Sequence, residues 1–224
     1  MPETGIAGRT VLVAGATSAA GIAVCRDLAN AGALVLAVGS DAGRLQSVTS
    51  QVPDAVTLVC DLADAGDVTR MAARVHAEHG PIDGLIHLVG GWRGGGGLAG
   101  QSDQDWDFLH RRIVTTLRNT TRAFDEDLRA SDAGRLAIVS SVSVDDPAPG
   151  GANYAAAKAA AETWLRAVAR GFAKSAPTSS ATIFVVKALD GLESRLATEV
   201  ARLWSAPAAS GSFSRITLEP AATS

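Results

Sequence analysis

Short apolar runs alternate with longer helical stretches along most of the chain, and this alternation constrains the fold more than any other feature. The runs "TVLVAG" (10–15), "LVLAVG" (34–39), "AVTLVCD" (55–61), "DGLIHLVG" (83–90), "GRLAIVSSV" (134–142), "ATIFVVKAL" (181–189) and "GSFSRITLE" (211–219) read as strands. The spacing between them predicts helices over 21–32 (ending at Gly32), 44–50, 65–80 (stopped by Gly80-Pro81), 153–175 and 192–204. It also predicts one long helix over 103–131 with Ser102 as its cap. The strands are nearly continuous in apolar residues, so both faces of their sheet must be covered, as in parallel sheets. Strand–helix alternation with a parallel sheet predicts an α/β, doubly wound, Rossmann-type fold. About seven strands are expected, in a single domain over 1–224.

Composition narrows the function classes. The chain has 224 residues, which suits one α/β domain with a large core. It is 47% hydrophobic and 19% charged, which marks a globular chain rather than a disordered one. The net charge is −3 and no basic cluster occurs, so nucleic acid is not expected as a partner. No apolar run is long enough to span a bilayer, so no membrane partner is expected. "MPETGIAGRT" lacks a charged-then-apolar signal pattern, and the expected location is cytoplasmic. Cys25 and Cys60 fall in a helical pattern and at a strand end, and read as core thiols in a reducing compartment. Too few Cys and His cluster to suggest a metal site.

Two stretches carry chemistry. The first strand runs into "GATSAAGIA", where a turn followed by a helix N-terminus suits a pyrophosphate. Gly15 and Gly21 permit the turn and close helix–strand packing; Ala19 stands where a middle glycine would be expected. In "NYAAAK", Tyr154 and Lys158 are four residues apart, so they lie one above the other on a helix. A nearby ammonium favours a phenolate and is expected to lower the tyrosine pKa. Ser141 lies thirteen residues before Tyr154, at a strand's carboxyl end. In a parallel sheet that end faces the same crevice as the next helix's start, so the three can converge.

On these residues the chain resembles the short-chain dehydrogenase/reductase family over roughly 8–190. Asp61 stands where the family sets an Asp against the adenine amine, and "HLVG" (87–90) where it has Asn-Asn-Ala-Gly. Trp106 and Asn119 fit its long fourth helix, and Ser141, Tyr154 and Lys158 match its catalytic set. The resemblance implies a nicotinamide-dependent oxidoreductase acting on a small carbonyl or alcohol. Tyr154 would give or take the proton on the substrate oxygen, Ser141 would hydrogen-bond that oxygen, and Lys158 would hold the nicotinamide ribose. Implied cofactor contacts are Gly15, Thr17, Ser18, Ala20 and Gly21 at the turn, Ser40, Asp61, Leu62, Val89 and Gly90 at later strand ends, and Tyr154 with Lys158. Implied substrate contacts are Trp92 and Ser141.

Several positions depart from the family pattern. The register from Trp106 puts Ile113 where a helix Asn supports a water chain, with His110 and Thr116 three positions away. "VVKALDGLESR" replaces the Pro-Gly that touches nicotinamide, and the substrate lid is shortened by about twenty residues relative to the family. "GGWRGGGG" after strand four reads as a mobile lip over the crevice and resembles the loop of dihydropteridine reductases; Trp92 in it suits a flat ring. Gly39 and Ser40 offer no carboxylate against a 2′-phosphate, and Arg44 reaches from the next helix, which favours NADP over NAD; Asp41 keeps NAD open. In the family, the helices matching 103–131 and 153–175 pair across subunits, implying a homodimer or homotetramer. Two other readings stand beside the carbonyl reductase: a pteridine-type reductase, and a non-catalytic dinucleotide-binding sensor or scaffold.

Overall fold

A computed structural model describes residues 5–207 and 212–219 of the chain. Seven strands form one parallel sheet: β1 (Thr10–Ala14), β2 (Leu34–Gly39), β3 (Val56–Val59), β4 (Gly84–His87), β5 (Arg135–Ser141), β6 (Ser180–Val186) and β7 (Phe213–Thr217). Their order is β3-β2-β1-β4-β5-β6-β7. The chain winds outward from β1 in one direction and then returns to start again at β4. This leaves a crevice between the carboxyl ends of β1 and β4. The expected strand start at Gly211 lies outside the described residues.

The helices are α1 (Ala19–Asn30), α2 (Ala42–Gln51), α3 (Ala65–His79), α4 (Asp103–Leu109), α5 (Thr116–Ala130), α6 (Ala152–Ser175) and α7 (Glu193–Ala201). Strand alternation sends side chains to two apolar layers. Leu12, Leu36, Leu85 and Ile138 pack with α3, α5 and α6. Val11, Val35, Ile86 and Ala137 pack with α1, α2 and α7. Both faces are covered, as the unbroken apolar runs required. Polar side chains cap the helix starts: Ser18, Asp41, Asp64 and Ser102 each accept a first-turn N–H.

The segment 103–131 departs from the expected single α-helix. Between α4 and α5, residues His110–Thr115 form a π-helical turn. That wider turn shifts the helix face by more than a 3.6-residue count allows. The strands at 55–61, 83–90 and 181–189 are shorter than their apolar runs, because the runs continue into the loops that form the crevice.

Candidate active site

A cavity of about 450 Å³ opens at the carboxyl ends of β1, β2, β4, β5 and β6. It runs along the Gly15–Ser18 turn, where the first N–H groups of α1 have no helical acceptor. Gly15 has φ +85°, and a Cβ there would press within 3.0 Å of the Leu88–Val89 backbone. Gly21 sits under the turn, where a Cβ would come within 2.5 Å of the Gly15 carbonyl oxygen. The two glycines let α1 start directly behind β1. This bare-backbone cradle beside a helix start fits the pyrophosphate of a dinucleotide.

Of the expected cofactor residues, Gly15, Thr17, Ser18, Ser40, Asp61, Leu62, Val89, Gly90, Tyr154 and Lys158 line the cavity. Ala20 and Gly21 do not. They are buried in the first turn of α1 and shape the cradle instead of facing it. Asp61 accepts from the Ala63 N–H at 2.9 Å and from Arg111 Nη2 at 2.7 Å, which fixes its carboxylate at the rim. Trp92 lines the mouth and is 65% exposed, so it is free to meet a ligand. The glycine loop is tied down rather than loose. Gln101 donates to the carbonyls of Gly95, Gly97 and Gly150, and the Gly95 N–H donates to the Gly150 carbonyl. The loop therefore joins the segment leading into α6 across the cavity mouth.

The triad converges as the topology requires. Ser141 ends β5, and Tyr154 and Lys158 occupy the first two turns of α6. Ser141 is 3% exposed and does not itself line the cavity; its hydroxyl donates to Ser143 Oγ at 3.1 Å, accepts from the Ser143 N–H at 3.2 Å and stands close enough to Tyr154 to act on its phenol. Lys158 is buried, its ammonium donating to the Val139 carbonyl at 2.8 Å. It lies 5.7 Å from the centre of the Tyr154 ring.

The electrostatics correct one expectation. Tyr154 is held above, not below, its ordinary pKa, because burial outweighs the lowering effect of the nearby Ser141 hydroxyl. Burial also pushes Lys158 down to about 8, partly offset by Glu162 one turn further along α6. The lysine is bonded to a backbone carbonyl, and its charge does not overcome the cost of burying a phenolate. Cys25 and Cys60 are unpaired, and burial pushes both thiols up to about 12, so neither is a nucleophile near neutral pH.

Sequence reasoning missed Arg111, Arg112 and Lys187, which line the cavity with Arg44. Arg112 Nε donates to the Gly90 carbonyl at 2.8 Å. The missed arginines sit on the π-helical turn, so a helical wheel drawn from Trp106 misplaces them. The same turn separates the two residues flanking Ile113. Thr116 lines the cavity, whereas His110 is exposed and stacks on Trp106 with ring centres 6.0 Å apart. Ile113 is buried in the core beneath α6. Ile113→Asn is therefore expected to lower stability by roughly 2–5 kcal/mol, since it deletes core contacts and buries an amide. Urea unfolding checks this, and an unchanged midpoint would count against the packing described. Only residues 187–192 link β6 to α7.

Among the described residues, no His, Cys, Asp and Glu cluster suits a metal ion, and no helix is long and apolar enough to cross a membrane. Residues 9–182 match the family profile described as short chain dehydrogenase. The 2,3-dihydro-2,3-dihydroxybenzoate dehydrogenase of Bacillus subtilis (strain 168) is 30% identical over 165 residues, 72% of this chain and 63% of that one. Nodulation protein G of Rhizobium meliloti (strain 1021) is 31% identical over 155 residues, 69% of this chain and 63% of that one. The matches thus cover less than two thirds of either relative's length. A metagenomic short-chain oxidoreductase, solved in complex with NADP, superposes with a TM-score of 0.85 at 25% identity, covering 96% of this chain and 98% of that one.

Proposed function

This chain belongs to the short-chain dehydrogenase/reductase family, and from that premise we propose that it is an NADP-preferring oxidoreductase acting on a small carbonyl or alcohol. The observation that carries the reading is the convergence of Ser141, Tyr154 and Lys158 beside the same cavity that the Gly15–Ser18 cradle opens. The Gly15–Ser18 cradle and Lys158 would hold a nicotinamide dinucleotide, whose chemistry when bound would be to supply or accept a hydride. Tyr154 holds the proton at its phenol oxygen and transfers it to or from the substrate oxygen. Ser141, close to that phenol, hydrogen-bonds the same substrate atom when its hydroxyl turns from Ser143. Lys158, positioned by Val139, would hold the ribose and places positive charge beside the phenol as it loses its proton. Trp92 offers a flat face to the substrate at the mouth. Turnover of NADPH against a panel of ketones, quinones and quinonoid pterins tests the reading. No turnover with tight dinucleotide binding would favour the sensor reading instead. The two buried free cysteines accord with the cytoplasm, and the family resemblance implies a homodimer or homotetramer.

Cofactor choice rests on the end of β2. Ser40 and Arg44 line the cavity there, and no carboxylate stands at Gly39 or Ser40. A Cβ on Gly39 would meet the Thr17 side chain at 2.9 Å and Leu45 at 3.2 Å, so an acid at that position would also disturb packing. Ser40 is exposed and gives the cleaner test. Ser40→Asp is expected to weaken NADPH binding by on the order of tenfold or more relative to NADH, through repulsion of the 2′-phosphate. Fluorescence titration with both cofactors measures it. An unchanged preference would remove Ser40 from the phosphate site.

A further inference from the structure

Among the described residues, His87 Nε2 and Ser140 Oγ are buried polar atoms without a hydrogen-bond partner. They share one face of the sheet. His87 of β4 pairs with Ile138 of β5, and Ser140 lies two residues beyond Ile138. Ile138 packs with Ala157 and Ala161 of α6, so both polar atoms face that helix. With strands about 4.8 Å apart and a rise of about 3.3 Å per residue, such diagonal neighbours of this parallel pair stand about 8 Å apart at Cα, a gap that a histidine, a serine and one water can bridge.

Lys158 enters the same space. Its ammonium bonds the carbonyl of Val139, the residue between Ile138 and Ser140. That bond uses one of its three N–H donors. The His87 backbone lies beside the other ring nitrogen, so we assign the ring proton to Nδ1 and the lone pair to Nε2. Burial and the neighbouring Lys158 hold the ring neutral, with a pKa of about 3. An acceptor without a donor, a hydroxyl without a partner and an ammonium with spare donors thus meet in one buried place. Buried polar groups find partners, ordered water included.

We propose that His87 Nε2 and Ser140 Oγ hold one buried water that accepts a second N–H of Lys158, making His87 a positioning residue for that lysine. The role given to Lys158 rests on the reading above; the water site does not. The titratable and charged groups around Lys158 are Tyr154 and Glu162 on α6, His87 on β4 and Arg112 at the cavity wall. Arg215 of β7 and Arg166 both bond Glu162, so its charge is largely matched. The bridged water then adds to the solvation that the ammonium draws from the cavity it lines.

Two measurements test this. An atomic-resolution crystal structure of the unliganded full chain is expected to show density within hydrogen-bonding distance of both His87 Nε2 and Ser140 Oγ. An empty space there overturns the proposal, whatever the protein catalyses. The second measurement is NADPH affinity against pH for wild type, His87→Phe and His87→Gln. Loss of the water removes a hydrogen bond to a charged group, so His87→Phe is expected to move the alkaline loss of affinity down by about one pH unit. His87→Gln, which keeps an acceptor, is expected to restore most of it. An unmoved alkaline limb in folded His87→Phe overturns the positioning role. If that variant does not fold, Ser140→Ala takes its place, with a shift in the same direction expected and no shift overturning the role. If wild type binds no NADPH, the proposed function fails and the crystal density still decides the water site.

Discussion

Tyr154→Phe is expected to reduce turnover by roughly two to four orders of magnitude, the contribution of a positioned acid–base group. Phenylalanine keeps the ring and its packing against the core, and removes only the transferable proton. The fold should therefore survive, and dinucleotide affinity should stay close to that of the native chain. Burial holds the Tyr154 proton in place in the unliganded protein, so the phenol begins as an acid. Steady-state kinetics with a substrate found by the NADPH panel give the measurement. If Tyr154→Phe turned over like wild type, the dehydrogenase mechanism would be abandoned for a dinucleotide-binding scaffold.

The second large effect concerns stability at the opposite end of the sheet. Trp204 is 1% exposed, and its indole N–H donates to the Ala133 carbonyl at 3.0 Å. Its ring packs against Gly84 so closely that a Cβ there would lie 2.7 Å from it. Beside it, the buried Arg135 guanidinium bonds the carbonyls of Gly134, Thr178, Leu203 and Ala206. Together they fasten the turn after α7 to the starts of β4 and β5. Trp204→Ala is expected to cost about 3–5 kcal/mol, from the lost ring and the cavity it leaves. It also strands the Ala133 carbonyl without its donor. Guanidinium unfolding reads the loss. Because Trp204 lies at the strand starts and the cavity at the strand ends, the folded fraction should bind dinucleotide as wild type does. A loss below about 1 kcal/mol, within the range of ordinary surface changes, would mean that this clamp does not hold the fold.

The fold was legible because it rests on local patterns. Unbroken apolar runs cannot leave a sheet face in water, and helical spacing between them leaves parallel crossovers as the connection. The triad was legible for the same reason: Tyr154 and Lys158 are neighbours on one helix, and Ser141 ends the strand before it. What the sequence left hidden depends on geometry beyond one element. The π-helical turn at His110–Thr115 moves Arg111, Arg112 and Thr116 to the cavity and Ile113 to the core, which no fixed helical count anticipates. Ala20 and Gly21 lie near the cradle in sequence but under it in space, because α1 begins directly behind β1. The direction of the Tyr154 shift also required the tertiary structure. Spacing puts the charge of Lys158 nearby, but only packing shows that the phenol is buried and the ammonium is bonded to Val139. Periodicity thus determined which residues share an element and a face, while burial and cross-strand contacts decided which of them meet at the site and in what charge state.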